Sequence, residues 1–357
     1  MEAFTIVTGG AGFIGSHLVE RLVARGDRVR VVERPGADTS HLPPGVETVR
    51  ADIRDPRAVE STMRGGRWVF HLAANPNLWA RDRGEFDAVN HRGTVHVLDA
   101  ALAAGAERVL HTSTESILTR ARGHGPIAED VEIALEDAVG PYCRSKLRAE
   151  NEAIARARAG HPVVVANPTM PVGPGDRGLS PPSRLIRDFC RGRLPARMDC
   201  TLNLIDVRDV AEGLIRTMER GVPGRRYLLG GENLTLLGLL TILSGLSGVP
   251  VPRWRIPYAL GLAVAHASEF WSDHVTGRPP KATVTGVRLT RRTMHFDPSR
   301  SLAALDLAPR PIRQSLADAV AWLRLVGEID NPGPARPRSE PGHFGRVPRR
   351  RESVPPA

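Results

Sequence analysis

The stretch that decides the fold is Thr8-Gly9-Gly10-Ala11-Gly12-Phe13-Ile14-Gly15, near the beginning of the 357-residue chain. It follows a short apolar run, Phe4–Thr8, and opens a segment with helical periodicity, Phe13–Arg25. A strand-to-helix turn this tight needs residues that tolerate positive φ and let a pyrophosphate approach the backbone. The free N–H groups and positive dipole end of the helix would then face the phosphates. The residues predicted to bind a dinucleotide here are Gly9, Gly12, Phe13, Ile14 and Gly15.

Strands and helices alternate after this stretch. Short apolar runs predict strands, and amphipathic periodicity predicts the helices between them. The predicted strands are Phe4–Thr8, Arg28–Val32, Glu47–Ala51, Trp68–Leu72, Arg108–Thr112 and Pro162–Ala166, and the main predicted helices are Phe13–Arg25, Phe86–Ala104 and Pro141–Ala159. Such alternation implies right-handed crossovers and a mostly parallel sheet covered on both faces. The predicted fold class is α/β, a Rossmann-type doubly wound parallel sheet with a smaller C-terminal substrate-binding lobe.

The composition changes after Pro168, where proline and glycine cluster as far as Pro182. Shorter helices are predicted beyond that point, at Ser183–Arg191, Val207–Arg220, Leu236–Leu246 and Ile312–Leu325. We expect a dinucleotide-binding domain over residues 1–170, with interleaved segments of 200–230, and a substrate-binding lobe over 171–330. Residues 331–357 carry six Arg against two Glu, seven Pro and no apolar periodicity, which predicts a disordered basic tail.

The formal net charge of +10 is partly that of the tail, and the remainder favours an anionic ligand such as a dinucleotide. Nucleic acid is therefore not the expected partner, although tail binding to an acidic surface or lipid headgroups is the alternative. Cys143, Cys190 and Cys200 show no disulfide pattern and no metal-ligand spacing, so we expect no metal and a reducing, cytoplasmic location. The most apolar helical candidate, around Tyr258–Ala267, is too short to span a bilayer.

The choice of cofactor depends on the end of the second strand, where Glu33 and Arg34 are adjacent. A carboxylate there can accept both adenosine ribose hydroxyls, which favours NAD, whereas an Arg can pair with a 2′-phosphate, which favours NADP. The sequence leaves NAD or NADP open, with a slight preference for NAD. Asp52 and Ile53 close the third strand and are predicted to bind adenine, through its amino group and ring face. The alternative is that Asp52 caps the helix beginning near Pro56.

The residues after the fourth strand are small. Leu72, Ala73 and Ala74 are predicted to let the backbone lie against the cofactor. His71, which precedes them, is expected to be a packed histidine rather than a catalyst. Asn90, in the following helix, is open to a structural or a functional role.

The strongest chemical signal is Tyr142-Cys143-Arg144-Ser145-Lys146. Tyr142 and Lys146 lie four apart on a predicted helix, so they share one face with Cβ atoms ~5–6 Å apart. A phenol has a pKa near ~10, and a nearby ammonium or an oxidised nicotinamide would lower it. Lys146 could also bind the nicotinamide ribose. Tyr142 is then predicted to take or give a proton while hydride moves to or from the ring.

The third catalytic group is predicted to be a hydroxyl at the end of the fifth strand. The run His111–Ser116 offers four hydroxyls, and Thr114 lies just past the strand end. We expect Thr114 to hydrogen-bond the reacting oxygen. The alternative is a helix N-cap or a turn hydroxyl.

These motifs, together and in this order, resemble the extended short-chain dehydrogenase/reductase family, the NAD-dependent epimerase/dehydratase group, over roughly residues 4–326. The resemblance implies a phosphate loop at Gly9, Gly12 and Gly15, an adenine contact at Asp52, an active-site Ser/Thr at Thr114, a general acid/base at Tyr142 with its partner Lys146, and a cofactor contact at Pro168. The chain is most similar to the hopanoid-associated sugar epimerase and dihydroflavonol-reductase-like subgroup, in Asn167–Asp176, Leu229–Leu236 and Pro311–Leu323. Relatives commonly dimerise through the helices matching Phe86–Ala104 and Pro141–Ala159, which implies a homodimer.

The chain departs from the family in two segments. Sugar-nucleotide epimerases often show Arg-Pro-x-Asn-x-Tyr-Gly-Pro after the sixth strand, where Asn167, Met170 and Val172 stand here at the Arg, Asn and Tyr positions. These replacements remove polar contacts for a nucleotide sugar and favour a less polar substrate. Dehydratases show Thr-Asp-Glu where this chain has Thr114-Glu115-Ser116, so dehydration is not expected.

The leading hypothesis is an NAD(P)-dependent reductase or dehydrogenase that acts on a small or lipid-linked carbonyl or alcohol. The rival is an NAD-dependent sugar or sugar-nucleotide epimerase, whose cofactor is recycled internally without net redox change. A non-catalytic nucleotide sensor on the same fold is a third hypothesis. It is disfavoured because Tyr142 and Lys146 are both present.

Overall fold

The computed structural model describes residues 3–121 and 125–330. The strands of the described chain are β1 (Phe4–Thr8), β2 (Val29–Glu33), β3 (Glu47–Arg50), β4 (Gly66–His71), β5 (Arg108–Thr112), β6 (Arg120–Ala121), β7 (Val163–Pro168), β8 (Met170–Val172), β9 (Ala196–Arg197), β10 (Thr201–Asp206), β11 (Arg226–Leu229), β12 (Glu232–Thr235), β13 (Trp254–Arg255) and β14 (Arg292–Thr293). The α-helices are α1 (Phe13–Ala24), α2 (Pro56–Thr62), α3 (Gly84–Phe86), α4 (Gly93–Ala103), α5 (Gly140–Arg158), α6 (Pro181–Cys190), α7 (Val207–Arg220), α8 (Leu236–Ser247), α9 (Tyr258–Trp271), α10 (Val284–Leu289), α11 (Ser299–Leu305) and α12 (Ile312–Leu325).

The main sheet contains seven strands in the order β11-β7-β5-β4-β1-β2-β3. Every pairing in it is parallel, so each connection crosses over one face of the sheet. The order reverses beside β1, and in open α/β sheets ligands bind at such a switch point, beyond the carboxyl ends of the strands. The predicted fold class is confirmed.

Two apolar clusters cover the two faces of this sheet. One joins β1, β5 and β7 to α1 and α7 through side chains such as Leu18, Leu22 and Leu214, all fully buried. The other joins the same sheet to α2, α4 and α5 through residues such as Val59, Leu98 and Ile154. Burial on both faces explains why these strands are continuous apolar runs rather than alternating ones.

A third cluster lies outside the main sheet. It gathers α6, α8 and α12 around the small sheet β12-β10-β8, with Phe189, Leu240 and Leu316 fully or almost fully buried. Most residues of this cluster follow β7 in the chain, whereas those between Ile117 and Leu147 precede it. This is the smaller C-terminal lobe.

Two features of the main sheet and its flanking helices differ from the elements predicted from the sequence. β11 is a seventh strand, which pairs in parallel with β7 after the chain returns from the lobe. The predicted helix Phe86–Ala104 consists of α3, a π-helical segment Asp87–Arg92 and α4 in succession. The predicted tail, residues 331–357, lies outside the described residues.

In the described chain, no helix is both long and apolar enough to cross a membrane. No disulfide joins Cys143, Cys190 and Cys200.

Candidate active site

The glycine loop between β1 and α1 holds backbone segments in direct contact. Gly9 has φ +72°, and a Cβ atom there would lie 2.7 Å from the amide nitrogen of Ala73. A Cβ atom on Gly15 would lie 2.1 Å from the carbonyl oxygen of Gly9. Both positions therefore require glycine. Gly12 is the N-cap of α1, and no side chain caps the first helical turn, where Phe13 and Ile14 lie.

The segment after β4 lies against this loop. The Ala73 amide donates to Thr8 Oγ1 at 3.3 Å, and the start of Leu72–Ala74 is held by a backbone hydrogen bond to the Thr8 carbonyl at 3.1 Å. Thr8 Oγ1 also lies 2.7 Å from His71 Nδ1, whose other ring nitrogen is 2.9 Å from Thr94 Oγ1. Burial lowers the pKa of His71 to about 3, so the ring is neutral at physiological pH. His71 is a packed histidine, as the sequence indicates.

Glu33, the last residue of β2, reaches the glycine loop. Its Oε1 accepts a hydrogen bond from the Ala11 amide at 2.7 Å. Arg34, its neighbour, is exposed. Of the two side chains that compete to select the cofactor, the carboxylate is therefore the one held at the loop.

Asp52, beyond the end of β3, is engaged by Arg54. Its Oδ1 accepts from the Arg54 amide at 2.9 Å, and the hydrogen bond from the Arg54 guanidinium lowers the pKa of the carboxyl. The cap of α2 is Asp55, which accepts from the amides of Arg57 and Ala58. The alternative in which Asp52 caps this helix is therefore wrong.

Ile53 belongs largely to the core. It is 7% exposed, and a Cβ atom on Gly93 of α4 would lie 2.8 Å from its Cδ1. Only the exposed edge of Ile53 is available to an adenine ring.

Helix α5 carries the Tyr-x-x-x-Lys pair. Gly140 has φ +74° and Pro141 occupies the first turn, where its missing N–H leaves no helical hydrogen bond unmade. The Tyr142 ring packs edge to face on Phe86 at the end of α3, with ring centroids 6.3 Å apart. The helix start therefore fixes the phenol at the carboxyl end of the sheet.

Lys146, one turn further along α5, is buried. Its Nζ donates to the carbonyl oxygen of Thr112, the last residue of β5, at 2.7 Å. Burial lowers the pKa of Lys146 to about 8, and the charge of Glu150 opposes that shift. Glu150 is paired with Arg226 at 2.5 Å.

Thr114 has the predicted position and also the alternative role. Its Oγ1 accepts from the Ser116 amide at 3.3 Å, which makes it the N-cap of the 3₁₀ turn Glu115–Ile117. The same hydroxyl donates to Glu115 Oε2 at 2.8 Å and forms a hydrogen bond with Tyr142. Thr114 and Tyr142, which the sequence predicts for one site, therefore lie side by side.

The pKa of Tyr142 differs from expectation. Burial raises the pKa of the phenol, Glu115 and Cys143 raise it further, and the hydrogen bond with Thr114 opposes the increase. Lys146 does not contribute the expected lowering in the described chain, and its ammonium is hydrogen-bonded to the Thr112 carbonyl. The phenol is thus protonated at neutral pH, which corrects the prediction.

Glu115 belongs to the site, although the sequence does not predict it as a site residue. Its side chain is buried, and burial raises the pKa of this carboxyl to about 7, against the opposing hydrogen bonds of Thr114 and Ser116. The only sequence signal is an acidic residue among hydroxyls directly after an apolar strand.

The segment Asn167–Val172, from the end of β7 to β8, is more buried than expected for residues that replace polar substrate contacts of sugar-nucleotide epimerases. Asn167 is fully buried and its Nδ2 donates to Glu150 Oε2 at 2.6 Å, and Val172 lies in the third apolar cluster. Pro168 is buried at the end of β7, paired with β11. Only Met170 of the three substituted positions is partly exposed, so any effect on substrate polarity falls mainly on Met170.

Asn90 has a structural role. It lies in the π-helical segment, where its Oδ1 accepts from the Asn75 amide at 2.7 Å and its Nδ2 donates to Ser145 Oγ at 3.1 Å. These bonds tie the segment after Ala74 to α5, between Tyr142 and Lys146. Because Asn75 and Asn90 are distant from Ser145 along the chain, no local pattern predicts the contact.

The residues present fit a dinucleotide. The loop offers an uncapped helix N-terminus and a surface that Cβ atoms on Gly9 or Gly15 would disrupt. The hydroxyls of Ser113 and Thr169, just beyond β5 and β7, are buried without a hydrogen-bond partner in the described part of the chain. Polar groups thus remain available at the strand ends.

Comparison with known proteins agrees with this geometry. The sequence profile described as the NAD dependent epimerase/dehydratase family matches residues 5–230. A dihydroflavonol 4-reductase-like protein of Synechocystis sp. is 36% identical over 331 residues, which cover 90% of this chain and 95% of that protein. Sterol demethylase protein B of Methylococcus capsulatus is 34% identical, over 91% of this chain and 99% of its own length.

The solved structures contain the same fold. The crystal structure of gox2253 superposes with a TM-score of 0.81 at 34% identity, over 92% of this chain and 99% of that one. The match extends over both the sheet and the C-terminal lobe. The chain belongs to the NAD-dependent epimerase/dehydratase family of the extended short-chain dehydrogenases and is an NAD(P)-dependent oxidoreductase.

Proposed function

We propose that this enzyme is a reductase or dehydrogenase that acts at one carbonyl or carbinol carbon of a small, weakly polar or lipid-linked substrate. The observation that carries the proposal is the contact between Tyr142 and Thr114 beside the buried Lys146, at the carboxyl ends of the sheet. The dinucleotide supplies or accepts the hydride when bound. Tyr142 holds the proton at its phenol oxygen, and Thr114 orients the reacting oxygen.

The raised pKa of Tyr142 keeps the phenol protonated at neutral pH, which is the form that a reduction needs. A phenol that remains protonated at neutral pH is an acid, ready to donate to the oxygen of a carbonyl as that oxygen gains negative charge. Lys146, held by the Thr112 carbonyl, would bind the nicotinamide ribose. The same shift makes Tyr142 a weaker starting point for oxidation, in which the phenol must first lose its proton.

We further propose NAD rather than NADP as the cofactor. Glu33 is held at the glycine loop by Ala11, where a carboxylate would accept ribose hydroxyls and repel a 2′-phosphate. Gly9, Gly12 and Gly15 would admit the pyrophosphate, Leu72–Ala74 and Pro168 would border the cofactor, and Asp52 would meet the adenine.

A weakly polar substrate is supported by the segment after β7, where Met170 stands at a position that is polar in many sugar-nucleotide epimerases. The names of the relatives point the same way, since one is a sterol demethylase protein and another is dihydroflavonol-reductase-like. We also propose a homodimer through α4 and α5, residues 171–330 as the substrate-binding lobe, and a cytoplasmic location.

The decisive experiment identifies the nucleotide and tests the proton donor. The purified protein is denatured and any released nucleotide is identified, and NADH and NADPH affinities are then measured by fluorescence titration. We expect an exchangeable site that prefers NADH, and NADH consumption with steroid ketones. About one tightly held NAD per chain, together with interconversion of sugar epimers, would instead establish the epimerase.

Tyr142→Phe supplies the second arm. We expect kcat to fall by about 10²–10⁴-fold while NADH affinity stays near the wild-type value, because only the proton donor is removed. Wild-type turnover in this variant would show that the mechanism is wrong. Tyr258→Phe, which removes a phenol from a ring in the lobe, is the matched control and should retain activity.

A further inference from the structure

Helix α9 and the π-helical turn after it, Ser272–Thr276, present apolar side chains to solvent. The large apolar residues of this stretch that are 50% to 62% exposed are Leu260, Val264, Phe270, Trp271 and Val275. Trp254 on β13, shortly before α9, is 78% exposed. We call these six side chains the α9 surface. Two exposed tryptophans and an exposed phenylalanine are unusual for a chain in which aromatics make up only 4% of residues.

Three of the exposed residues of α9 lie on one face of the helix, and Phe270 lies about 100° around the helix from Trp271. Leu260, Val264 and Trp271 are separated by four and seven residues, which places them in one line along the helix. Gly261 and Ala265, on the other side, are buried, and a Cβ atom on Gly261 would lie 2.9 Å from Met198 Sδ. One side of α9 is thus packed on the lobe, whereas the apolar side has no covering in the described chain.

The acidic residues of this stretch are turned inward. Asp273 accepts from the Trp79 indole at 2.9 Å and pairs with Arg83 at 3.0 Å. Glu269 accepts from the Val284 amide at 2.8 Å. Neither carboxylate of α9 and its π-helical turn therefore belongs to the apolar face.

Basic residues border the α9 surface at both ends. Arg253 and Arg255 flank Trp254, and Arg278 and Lys281 follow the π-helical turn, all four exposed. Arg255 pairs with Asp199 at 2.6 Å, which offsets its charge, so the positive charge of the border comes mainly from the other three. The Lys281 amide donates to Ser268 Oγ at 3.1 Å, which holds this second pair beside α9. The patch thus combines an apolar centre with a positive rim.

We propose that the α9 surface docks on the face of an anionic phospholipid bilayer. An amphipathic helix with apolar and aromatic side chains on one side and basic residues at its border lies in the membrane interface, without crossing it. Trp side chains prefer the headgroup level, and Lys and Arg pair with anionic headgroups. A second copy of this chain fits less well, because a two-fold contact through this face would bring the basic rims together.

The docked orientation affects how substrate reaches the active site, a consequence that rests on the proposed function. The inner side of α9 and its turn contacts the segment of Trp79 and Arg83, a few residues beyond Ala74. A weakly polar substrate dissolved in the bilayer would then reach the site from the membrane side.

The test is co-sedimentation of the full chain with phosphatidylcholine vesicles, with and without phosphatidylglycerol. We expect the wild type to bind the anionic vesicles. The vesicle partition coefficient of the Leu260→Ser/Trp271→Ser variant should be about tenfold or more below that of the wild type. Arg278→Glu/Lys281→Glu should weaken binding to anionic vesicles by at least roughly fivefold per residue. This effect should be smaller at high salt, which screens the charges.

Matched controls separate this face from other surfaces. Leu325→Ser changes an apolar side chain that is 84% exposed on α12, and Arg57→Glu/Arg64→Glu makes the same change in net charge elsewhere; both should bind almost as the wild type does, with only a small general charge effect. Thermal unfolding and NADH titration confirm that each variant is folded. Quenching of tryptophan fluorescence by brominated lipid, lost in Trp254→Tyr/Trp271→Tyr, measures insertion directly.

Four results would overturn the proposal. The first is that the wild type does not bind anionic vesicles. The second is that the Leu260→Ser/Trp271→Ser variant binds them as well as the wild type does. The third is that lipid binding is absent and sedimentation equilibrium shows that this variant dissociates a dimer. Loss of lipid binding only on deletion of residues 331–357 would assign the interaction to the tail and equally exclude the α9 surface. Because vesicle binding needs neither NADH nor Tyr142, this outcome is independent of the proposed catalytic function.

Discussion

At the scale of single residues, the carboxyl end of β5 brings together acids with raised pKa values. Glu115 is buried there and Tyr142 is partly buried, and each shift arises first from the loss of water around the charged form. Thr114 is hydrogen-bonded to both. The site is thus arranged to hold protons at neutral pH, which suits reduction of a carbonyl.

Glu115→Gln is expected to stabilise the protein at alkaline pH. The pKa of Glu115 is raised from 4.5 to about 7, so between these values the unfolded chain releases a proton that the folded chain keeps. Wild-type stability therefore falls as pH rises through this window, by about 3 kcal/mol in total, and Gln removes this contribution. Urea unfolding at pH 5 and pH 8 measures it.

The control for this prediction is Glu60→Gln, which removes the same charge from an exposed position on α2. Its free energy of unfolding should change by no more than about 0.5 kcal/mol at either pH. If Glu115→Gln had the same pH dependence of stability as the wild type, the carboxyl would not be buried as described.

At the scale of elements, the β1–α1 connection depends on two different properties of glycine. Gly15 is needed because the helix passes too close to the Gly9 carbonyl for a side chain, whereas at Gly12 a Cβ atom would lie 3.2 Å from that oxygen. Gly12 has no positive φ. Its importance is instead the approach of a phosphate to the helix N-terminus.

Gly15→Ala should therefore lower both stability and nucleotide affinity. Overpacking against the Gly9 carbonyl should cost about 2 kcal/mol or more and displace the loop, with NADH binding at least about tenfold weaker. Gly12→Ala should affect NADH affinity far more than unfolding. Urea denaturation and NADH titration on each variant give the two readouts.

Gly245→Ala is the contrasting substitution, because this glycine lies inside α8 and a Cβ atom there would meet only Arg313 Nη2, at 4.0 Å. It should stabilise the protein by about 1 kcal/mol and leave NADH affinity unchanged. A Gly15→Ala variant with wild-type stability would contradict the close helix–loop contact.

At the scale of the whole molecule, the described core ends just after α12. Ile329 is 5% exposed and packs in the third apolar cluster, so the chain remains anchored almost to Asp330. Deletion of residues 331–357 is expected to leave the melting temperature and NADH affinity unchanged. Deletion from residue 326 onward also removes Ile329, and should cost about 2 kcal/mol or more. Calorimetry and NADH titration distinguish the two truncations.

A loss of stability or NADH affinity in the shorter deletion would show that the tail belongs to the folded unit. The same pair of truncations serves the membrane test. The tail can then be separated from the α9 surface in one set of proteins.

The sequence by itself determined the parallel sheet, the glycine loop and the Tyr142–Lys146 pair. These features are local: an apolar run buried on both faces, glycines at a tight turn, and two residues one helical turn apart each leave a pattern along the chain. Tertiary structure decided the rest, because burial and long-range contacts depend on the environment that distant segments create. It gave Tyr142 and Glu115 their raised pKa values, joined Asn75 and Asn90 to Ser145, added β11 to the sheet, and left one side of α9 exposed.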